Sequence, residues 1–258
     1  MKKKILIILL IVLYISLIGT YLLSLKKPNF VMFGTTTFIY YDNNNQIKNV
    51  KRINNIDKKL NYEKFNVYID NSFEEAYMNF YKEDNATYYD LYNNQNQKID
   101  TKDFLLAYQG DLKINVNSSK IETQMTDEEK EKMIKILKSH SINEDISLFS
   151  KQVLDIDNDS KNETIYSLSN FGGQVNETFY SYIFIEESNK EIIDIDLIES
   201  QNKNTPEIPQ KYHAWSIDLD NDNNYEIVLS SVTGDDTPVY YEFYKYDSSN
   251  KTITEMLK

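Results

Sequence analysis

Apolar residues form one long uninterrupted run near the N-terminus of this chain. Residues 5–25 carry no charge, and they lie between three lysines on one side and Lys26 and Lys27 on the other. A helix of about 20 residues extends about 30 Å, which is the thickness of the hydrocarbon core of a bilayer. The pattern predicts an uncleaved transmembrane anchor within residues 1–27. A cleaved signal peptide is the alternative, although its apolar core would be shorter and a good small-x-small cleavage site is missing.

Beyond this segment, aromatic and β-branched runs alternate with asparagine-rich turns. In residues 28–121 these runs include NFVMFGTTTFIYY, ATYYDLY and FLLAYQGDLKINV. Such runs between turn residues are typical of β-hairpins, so we expect a β-rich N-terminal region. Residues 72–82 (SFEEAYMNFYK) fit a short amphipathic helix, although their aromatic side chains fit a strand nearly as well.

The clearest helix signal begins at Thr126. Thr126 and Glu129 match a capping box, in which the threonine side chain accepts from the Glu129 amide and the glutamate side chain reaches back. We therefore expect a helix from 127 to about 139 inside a connector of residues 122–147. An apolar stripe at helical spacing supports it: Met133, Ile134 and Leu137.

The pattern of residues 148–258 is repeated. Asp155 and Asp218 lie 63 residues apart, Asn189 and Asn250 lie 61 residues apart, and the order of features is preserved. Each unit reads as a strand, an acidic loop, a strand, a glycine-containing connection and a hairpin. We expect a mainly β fold that ends in two four-stranded units, a repeat typical of propeller-like or stacked β arrays.

Both units place carboxylates at alternate positions of the loop after their first strand, in the pattern DxDxDxxxE. Ca²⁺ takes six to eight oxygen ligands, and clustered carboxylates repel one another unless a cation lies between them. The sequence therefore predicts two calcium sites, in which the seventh residue of each loop offers its backbone carbonyl. The alternative is that Asp and Asn only form turns in an asparagine-rich chain. The predicted ligands are Asp155, Asp157, Asp159, Lys161 and Glu163 in the first loop, and Asp218, Asp220, Asp222, Asn224 and Glu226 in the second.

These loops are not EF-hands, because position twelve is Tyr166 or Leu229 and strands are expected on both sides. The pattern instead resembles the calcium loops of FG-GAP and VCBS-type repeats, the blades of integrin-like β-propellers. The resemblance covers residues 150–258 and implies calcium-stabilised, blade-like units. Family loops usually carry glycine at position six, where positive φ is favoured, whereas this chain has Ser160 and Asn223. Because serine tolerates that conformation poorly, we expect weaker binding in the first loop.

Two further departures from the family concern the rest of the fold. Phe171-Gly172 matches the FG element, but no Gly-Ala-Pro follows it. Two units also cannot close a ring that normally needs at least about four blades. Residues 28–121 therefore either supply degenerate blades or leave the two repeats as a small open β module.

Charge and composition narrow the function classes. The formal net charge is −12 although the first 27 residues are basic, so the body of the protein is strongly acidic. An acidic surface repels phosphate backbones, which argues against a nucleic acid partner. The chain has no cysteine, which excludes disulfides, thiolate metal ligands and a cysteine nucleophile. The sequence also contains no HExxH, GxSxG or glycine-rich phosphate motif.

The calcium loops also favour a location. Calcium modules of low affinity fill only at the roughly 0.1–1 mM calcium found outside cells. We therefore expect a single-pass membrane protein with its N-terminus inside and its C-terminal body outside, or a secreted protein if the segment is cleaved. Its expected partners are the membrane, through the helix, and an unidentified extracellular protein or glycan.

Three functions fit these features. The first is a calcium-binding β module that acts in binding or surface interaction, and the second is an exported, calcium-stabilised hydrolase acting on glycans or peptides. The third is an intramolecular role in sensing or shielding at the membrane. A hydrolase is expected to show paired acids in a pocket away from the loops, whereas a binding module is expected to show an exposed aromatic face. The loose acids considered for such a pair are Asp194, Asp196, Asp235 and Asp236.

The two histidines belong to no catalytic motif. We expect His140 to lie at the end of the helix, where a positive charge suits the helix dipole. His213 and Trp215 alternate on one predicted strand, and a packed core tryptophan is favoured there over a binding face.

Overall fold

The fold is mainly β, with one α-helix among the residues that the structure describes. The computed structural model describes residues 29–34, 36–42, 44, 46–52, 60, 63–69, 72–83, 86–99, 106–110, 112–143, 145–170, 179–200, 210–232 and 239–256. The predicted membrane segment, residues 5–25, lies outside these ranges, as do Phe171-Gly172, Asp235 and Asp236. Within them, no helix is both long enough and apolar enough to cross a bilayer.

The first sheet has eight strands in the order β3-β2-β1-β8-β4-β5-β6-β7. It is formed by residues 30–109, and β8 is inserted between β1 and β4, so that strands distant in sequence meet at the centre. The strands are β1 (Phe30–Phe33), β2 (Thr37–Tyr41), β3 (Ile47–Arg52), β4 (Glu63–Ile69), β5 (Ser72–Glu83), β6 (Ala86–Tyr92), β7 (Lys98–Ile99) and β8 (Leu106–Gln109).

The helical prediction for residues 72–82 is wrong, because this segment is the long strand β5. Its pairing with β4 and β6 satisfies the backbone on both edges. Buried residues then fall at every second position, Ala76, Met78 and Phe80, on one face of the sheet. The two-residue period of the buried positions prevails over the helical spacing that the segment also allows.

The predicted helix is confirmed as α1 (Asp127–Ser139), and both hydrogen bonds of the capping box are formed. The Thr126 hydroxyl oxygen accepts from the Glu129 amide at 3.2 Å, and a Glu129 carboxylate oxygen accepts from the Thr126 amide at 2.8 Å. His140 is the C-cap residue, as expected. The buried face of α1 includes Met133 and Leu137 and packs against the sheet of the first repeat.

The two predicted four-stranded units are present, and each is an antiparallel meander. In the second unit, the short strand β9 (Asn115–Val116) pairs with β14 and extends the sheet to five strands. The first meander is β10 (Leu148–Leu154), β11 (Glu163–Asn170), β12 (Phe179–Glu186) and β13 (Ile192–Ser200), and the second is β14 (Gln210–Asp218), β15 (Glu226–Val232), β16 (Tyr240–Asp247) and β17 (Thr252–Glu255).

The sheets pack as layers. Ile165 and Ile183 of the first meander meet Ile227 and Leu229 of the second in one buried cluster. The other face of the second meander packs through Val228 and its neighbours onto the eight-stranded sheet. The second meander therefore lies between the first meander and the eight-stranded sheet. Because the described strands of residues 30–109 share one sheet, they do not form additional four-stranded units.

Candidate metal centres

The two acidic loops lie at the same end of the two facing meanders. Residues 155–163 connect β10 to β11, and residues 218–226 connect β14 to β15. The loops also touch, because the Tyr225 amide donates to the Ile156 carbonyl at 2.8 Å. From the eight-stranded sheet, the Tyr41 hydroxyl donates to the Leu219 carbonyl at 3.0 Å, which ties the second loop to the first sheet.

The first aspartate of each loop organises the turn that follows it. The carboxylate of Asp155 accepts from the amides of residues five and six of its loop, at 3.0 and 2.8 Å. Asp218 accepts from the corresponding amides, both at 3.2 Å. The fifth residue of each loop, Asp159 or Asp222, accepts in the same way from the amide of the seventh, Lys161 or Asn224, at 2.8 and 2.9 Å. The two loops therefore share these three internal hydrogen bonds.

The glutamate at position nine of each loop accepts a hydrogen bond from the backbone amide of the second residue of the same loop. Oε2 of Glu163 accepts from the Ile156 amide at 3.0 Å, and Oε2 of Glu226 accepts from the Leu219 amide at 2.8 Å. Both side chains are buried, and Glu226 is fully inaccessible. Burial, reinforced by neighbouring carboxylates, raises the pKa of each glutamate from its ordinary value of 4.5 to about 7. Ionisation of either buried glutamate is therefore unfavourable in the folded protein.

The backbone of both loops is left-handed at positions four and six. Position six has φ of 68° at Ser160 and 69° at Asn223, as the family resemblance implied. Position four, Asn158 or Asn221, has φ of 59° or 60°, which the sequence reading did not predict. Asparagine adopts this conformation readily and serine less so, which leaves the local strain at Ser160.

We expect Ser160→Gly to stabilise the protein by about 0.5–1 kcal/mol, because glycine carries no Cβ penalty at positive φ. The measurement is urea denaturation of both forms. Asn223→Gly is the matched control in the second loop, and its smaller expected gain follows from the tolerance of asparagine for positive φ. A destabilised Ser160→Gly variant would contradict the assignment of strain to this position.

The first loop brings three of its predicted ligands together. Oxygen atoms of Asp155, Asp157 and Glu163 all lie within 4.8 Å of one another. Asp159 instead turns toward solvent, where its Oδ2 accepts from the Lys161 ammonium at 2.6 Å. That pair is exposed, so it is readily broken in exchange for another cation.

The second loop gathers its acids around a lysine that the motif does not contain. Oxygen atoms of Asp218, Asp220 and Asp222 lie within 4.8 Å of one another. The ammonium of Lys245, on β16, lies 2.8 Å from Asp220 Oδ2, 2.5 Å from Asp222 Oδ2 and 3.6 Å from Glu226 Oε1. Although partial burial opposes protonation, hydrogen bonds to Asp220 and Asp222 and the nearby charge of Glu226 raise the pKa of Lys245 far above its usual range.

Sequence reasoning missed Lys245 because it lies 19 residues beyond the end of the loop motif. The register of β15 and β16, in which Ile227 pairs with Tyr244, is what brings the next residue of β16 beside Glu226. The only sequence signal for this contact is the predicted hairpin before the C-terminus. A hairpin predicted without its register does not specify which residue lies beside Glu226.

Two carboxylate oxygens in the second loop have no hydrogen-bond partner among the residues that the structure describes. Oδ1 of Asp220 and Oε1 of Glu226 are both buried, and Glu226 Oε1 has only the long contact to Lys245. A buried polar atom without a partner normally costs about 1–3 kcal/mol. Hard oxygen donors that converge in this way suit a divalent cation with oxygen preference, such as Ca²⁺.

The weaker candidates are distributed elsewhere. His140 Nε2 lies 2.9 Å from the hydroxyl oxygen of Tyr182, on the face of the first meander that packs against α1. The same hydroxyl donates a hydrogen bond to Asp194. Asp196 instead pairs with Lys211 at 2.6 Å, so these two acids have different partners. Trp215 packs against Phe33 and Tyr241, with ring centroids 5.8 and 5.6 Å away, and His213 is buried.

No protein-family model, curated protein or solved structure matches this chain. The resemblance to FG-GAP and VCBS-type repeats therefore rests on the two loops and the strands around them.

Proposed function

We propose that this protein is a membrane-anchored, extracellular calcium-binding β module that acts by binding rather than by catalysis. Residues 5–25 would anchor it, and the two loops would each take one Ca²⁺. The two cations would stabilise the end of the facing meanders where the loops lie. The body would then present a binding surface to an extracellular protein or glycan. The repeats would then be blade-like units of the FG-GAP or VCBS type.

The observation that carries this proposal is the burial of Glu163 and Glu226 inside two loops that share the same turn hydrogen bonds. Turn formation alone explains the first and fifth aspartates, because their carboxylates accept backbone amides within the loop. The ninth-position glutamates also accept a loop amide, each through Oε2, but turn formation does not explain why burial raises the pKa of both carboxyl groups to about 7 or why Oε1 of Glu226 is buried without a partner among the described residues. A divalent cation would reverse that cost, since it favours the ionised form.

The hydrolase alternative gains no support from the described residues. The large cleft beside β10 and β14 is lined by serine, aromatic and amide side chains, and none of its described lining residues is Asp or Glu. A glycosidase needs two carboxyl groups across its substrate. Asp194 and Asp196, the described members of the loose acids, do not line this cleft.

Calcium titration of the full-length protein by calorimetry tests the proposal. We expect two sites with dissociation constants on the order of 10⁻⁴–10⁻³ M, the range of extracellular modules. Asp155→Ala and Asp218→Ala should each remove one site, and the double variant should remove both. Asp247→Ala is the control, because Asp247 caps an exposed turn of the same repeat and faces neither loop. Equal heats in the wild type and the double variant would refute calcium binding by these loops.

A further inference from the structure

A cleft opens beside β10 and β14 at the end of the two meanders opposite the acidic loops, and it extends to Tyr68 of β4 in the eight-stranded sheet. β10 and β14 run from this cleft toward their loops, and β11 returns from its loop to the cleft. Near the loops the interface is filled by isoleucine and leucine side chains such as Ile165 and Leu229. Farther along, small polar residues replace them, and a cavity of about 920 Å³ remains. That volume is within the roughly 300–1,000 Å³ of small-molecule sites.

The lining of the cleft is polar but almost uncharged. Its only charged described residue is Lys120, which is exposed, although the chain contains 40 acidic residues. Hydroxyl groups dominate, and each can both donate and accept a hydrogen bond. Ser150 and Ser167 stand opposite each other in the register of β10 and β11. Six serines line the cleft: Ser118, Ser119, Ser147, Ser150, Ser167 and Ser169.

Segment 115–123 occupies part of the strand edges beside the cleft. The segment 115–123 crosses from one meander to the other, since the Asn117 amide donates to the Ser216 carbonyl at 2.9 Å. Glu122 then exchanges two backbone hydrogen bonds with Lys151 of β10, at 2.8 and 2.9 Å. A peptide that added a strand here would need those edges. What the cleft offers instead is side-chain hydroxyl and amide groups.

The inner wall of the cleft is held by a buried polar chain. The Gln152 side chain donates to the Ser119 carbonyl at 2.7 Å and accepts from the Ser216 hydroxyl at 2.9 Å, and His213 Nε2 lies 3.2 Å from that hydroxyl. Burial keeps His213 neutral by lowering its pKa to about 4. This wall is therefore rigid and carries no charge, so it suits a neutral ligand.

Aromatic rings complete the lining. Trp215 packs against Phe33 and Tyr241 on the face of β14 turned to the eight-stranded sheet. It stays partly exposed at the edge of β14, where it lines the cleft with Tyr212 and with Tyr68 of β4. A sugar ring presents C–H groups on its faces and hydroxyl groups at its edges. The partly positive C–H groups suit the negative face of an aromatic ring, and the hydroxyl groups suit serine and amide side chains.

We propose that this cleft binds a neutral oligosaccharide. The inference rests on the proposed function, because it names the ligand class of the binding module, but it does not depend on calcium in the loops. An acidic glycan is disfavoured by the overall charge of −12, and strand addition by an extended peptide is disfavoured because segment 115–123 already pairs with Ser216 and Lys151 at these edges.

Trp215 allows a direct test because it is the only tryptophan of the chain. The probes are maltotetraose, cellotetraose and tetra-N-acetylchitotetraose, titrated into full-length protein in a detergent without a sugar headgroup. We expect at least one of the three to shift the Trp215 emission in a saturable manner and to protect it from acrylamide. A neutral tetrapeptide is the comparison, and binding of the peptide without any of the sugars would overturn the proposal.

Two variants locate the binding. Ser150→Leu places a bulky side chain in the cleft and should weaken binding at least about tenfold, equal to 1.4 kcal/mol. Ser72→Leu makes the same change at an exposed position of β5 and should leave affinity within about twofold. Equal loss in both variants, or no binding of any sugar by the wild type, would refute the inference. Sugar binding without calcium binding would refute the proposed calcium sites alone, and calcium binding without sugar binding would refute the cleft alone.

Discussion

Replacing Lys245 with methionine will make the stability of this protein depend on calcium. The ammonium of Lys245 is the positive charge that faces Asp220, Asp222 and Glu226. Methionine keeps much of the length and apolar volume of the side chain but removes that charge. Removing one partner of a buried ion pair normally costs about 3–5 kcal/mol, and the partial exposure of Lys245 places the expected loss near 3 kcal/mol.

Calcium should bind the Lys245→Met variant more tightly than it binds the wild type. In the wild type, an ion entering the second loop must displace the ammonium from two carboxylates, whereas in the variant no ammonium competes for them. We expect at least about a tenfold gain in affinity at this loop, equal to 1.4 kcal/mol. Urea denaturation without calcium and with millimolar calcium measures the loss of stability and its recovery.

Lys161→Met is the matched control in the first loop. Its ammonium contacts the exposed carboxylate of Asp159, and an exposed ion pair contributes less than about 1 kcal/mol. Loss of Lys161 should therefore change stability little. If Lys245→Met were as stable as the wild type without calcium, the lysine would not be the counter-ion of the second loop.

Stability without calcium should fall as the pH rises from about 5 to 8. The pKa of Glu226 is about 7 in the folded protein and 4.5 in its ordinary state, so the folded form binds more protons than the unfolded form between these values. Stability therefore falls with rising pH across this interval and levels off above it. Glu226 alone contributes about 2–3 kcal/mol to the fall, and Glu163 acts in the same direction.

Calcium should counteract this fall, because it binds the ionised glutamates that protons otherwise occupy. Urea denaturation at pH 5 and pH 8, with and without calcium, measures both trends. Glu226→Gln cannot ionise and should reduce the pH dependence, whereas Glu74→Gln, at an exposed position of β5, should not. A calcium-free stability that increased steadily from pH 5 to pH 8 would contradict burial of these carboxyl groups as the source of the shift.

The sequence was most informative where local chemistry determines structure. The Thr126–Glu129 capping box predicted the helix start because both hydrogen bonds form between residues three apart. The repeat offset predicted two four-stranded units, and the resemblance of the loops to FG-GAP and VCBS-type repeats implied the positive φ of Ser160 and Asn223. The residues that form the capping box and those that form each loop are neighbours in the chain.

Features set by distant residues could not be read in the same way. The segment of Ala76 and Met78 became a strand because β4 and β6 pair on either side of it. Lys245 reaches the second loop through a strand register that no local motif encodes. The cleft exists because serines of β10 and β11 leave space opposite β14, and only the packing of the two meanders brings these strands together.

The hydrogen bond from the Tyr225 amide to the Ile156 carbonyl makes the two acidic loops thermodynamically linked. Glu163 accepts from the amide of Ile156, whose carbonyl accepts the shared hydrogen bond. Glu226 directly follows Tyr225, whose amide donates that bond. Ordering one loop therefore lowers the entropic cost of ordering its neighbour, and the benefit must be equal in both directions. The protein would then respond to calcium cooperatively, over a narrower concentration range than two independent sites.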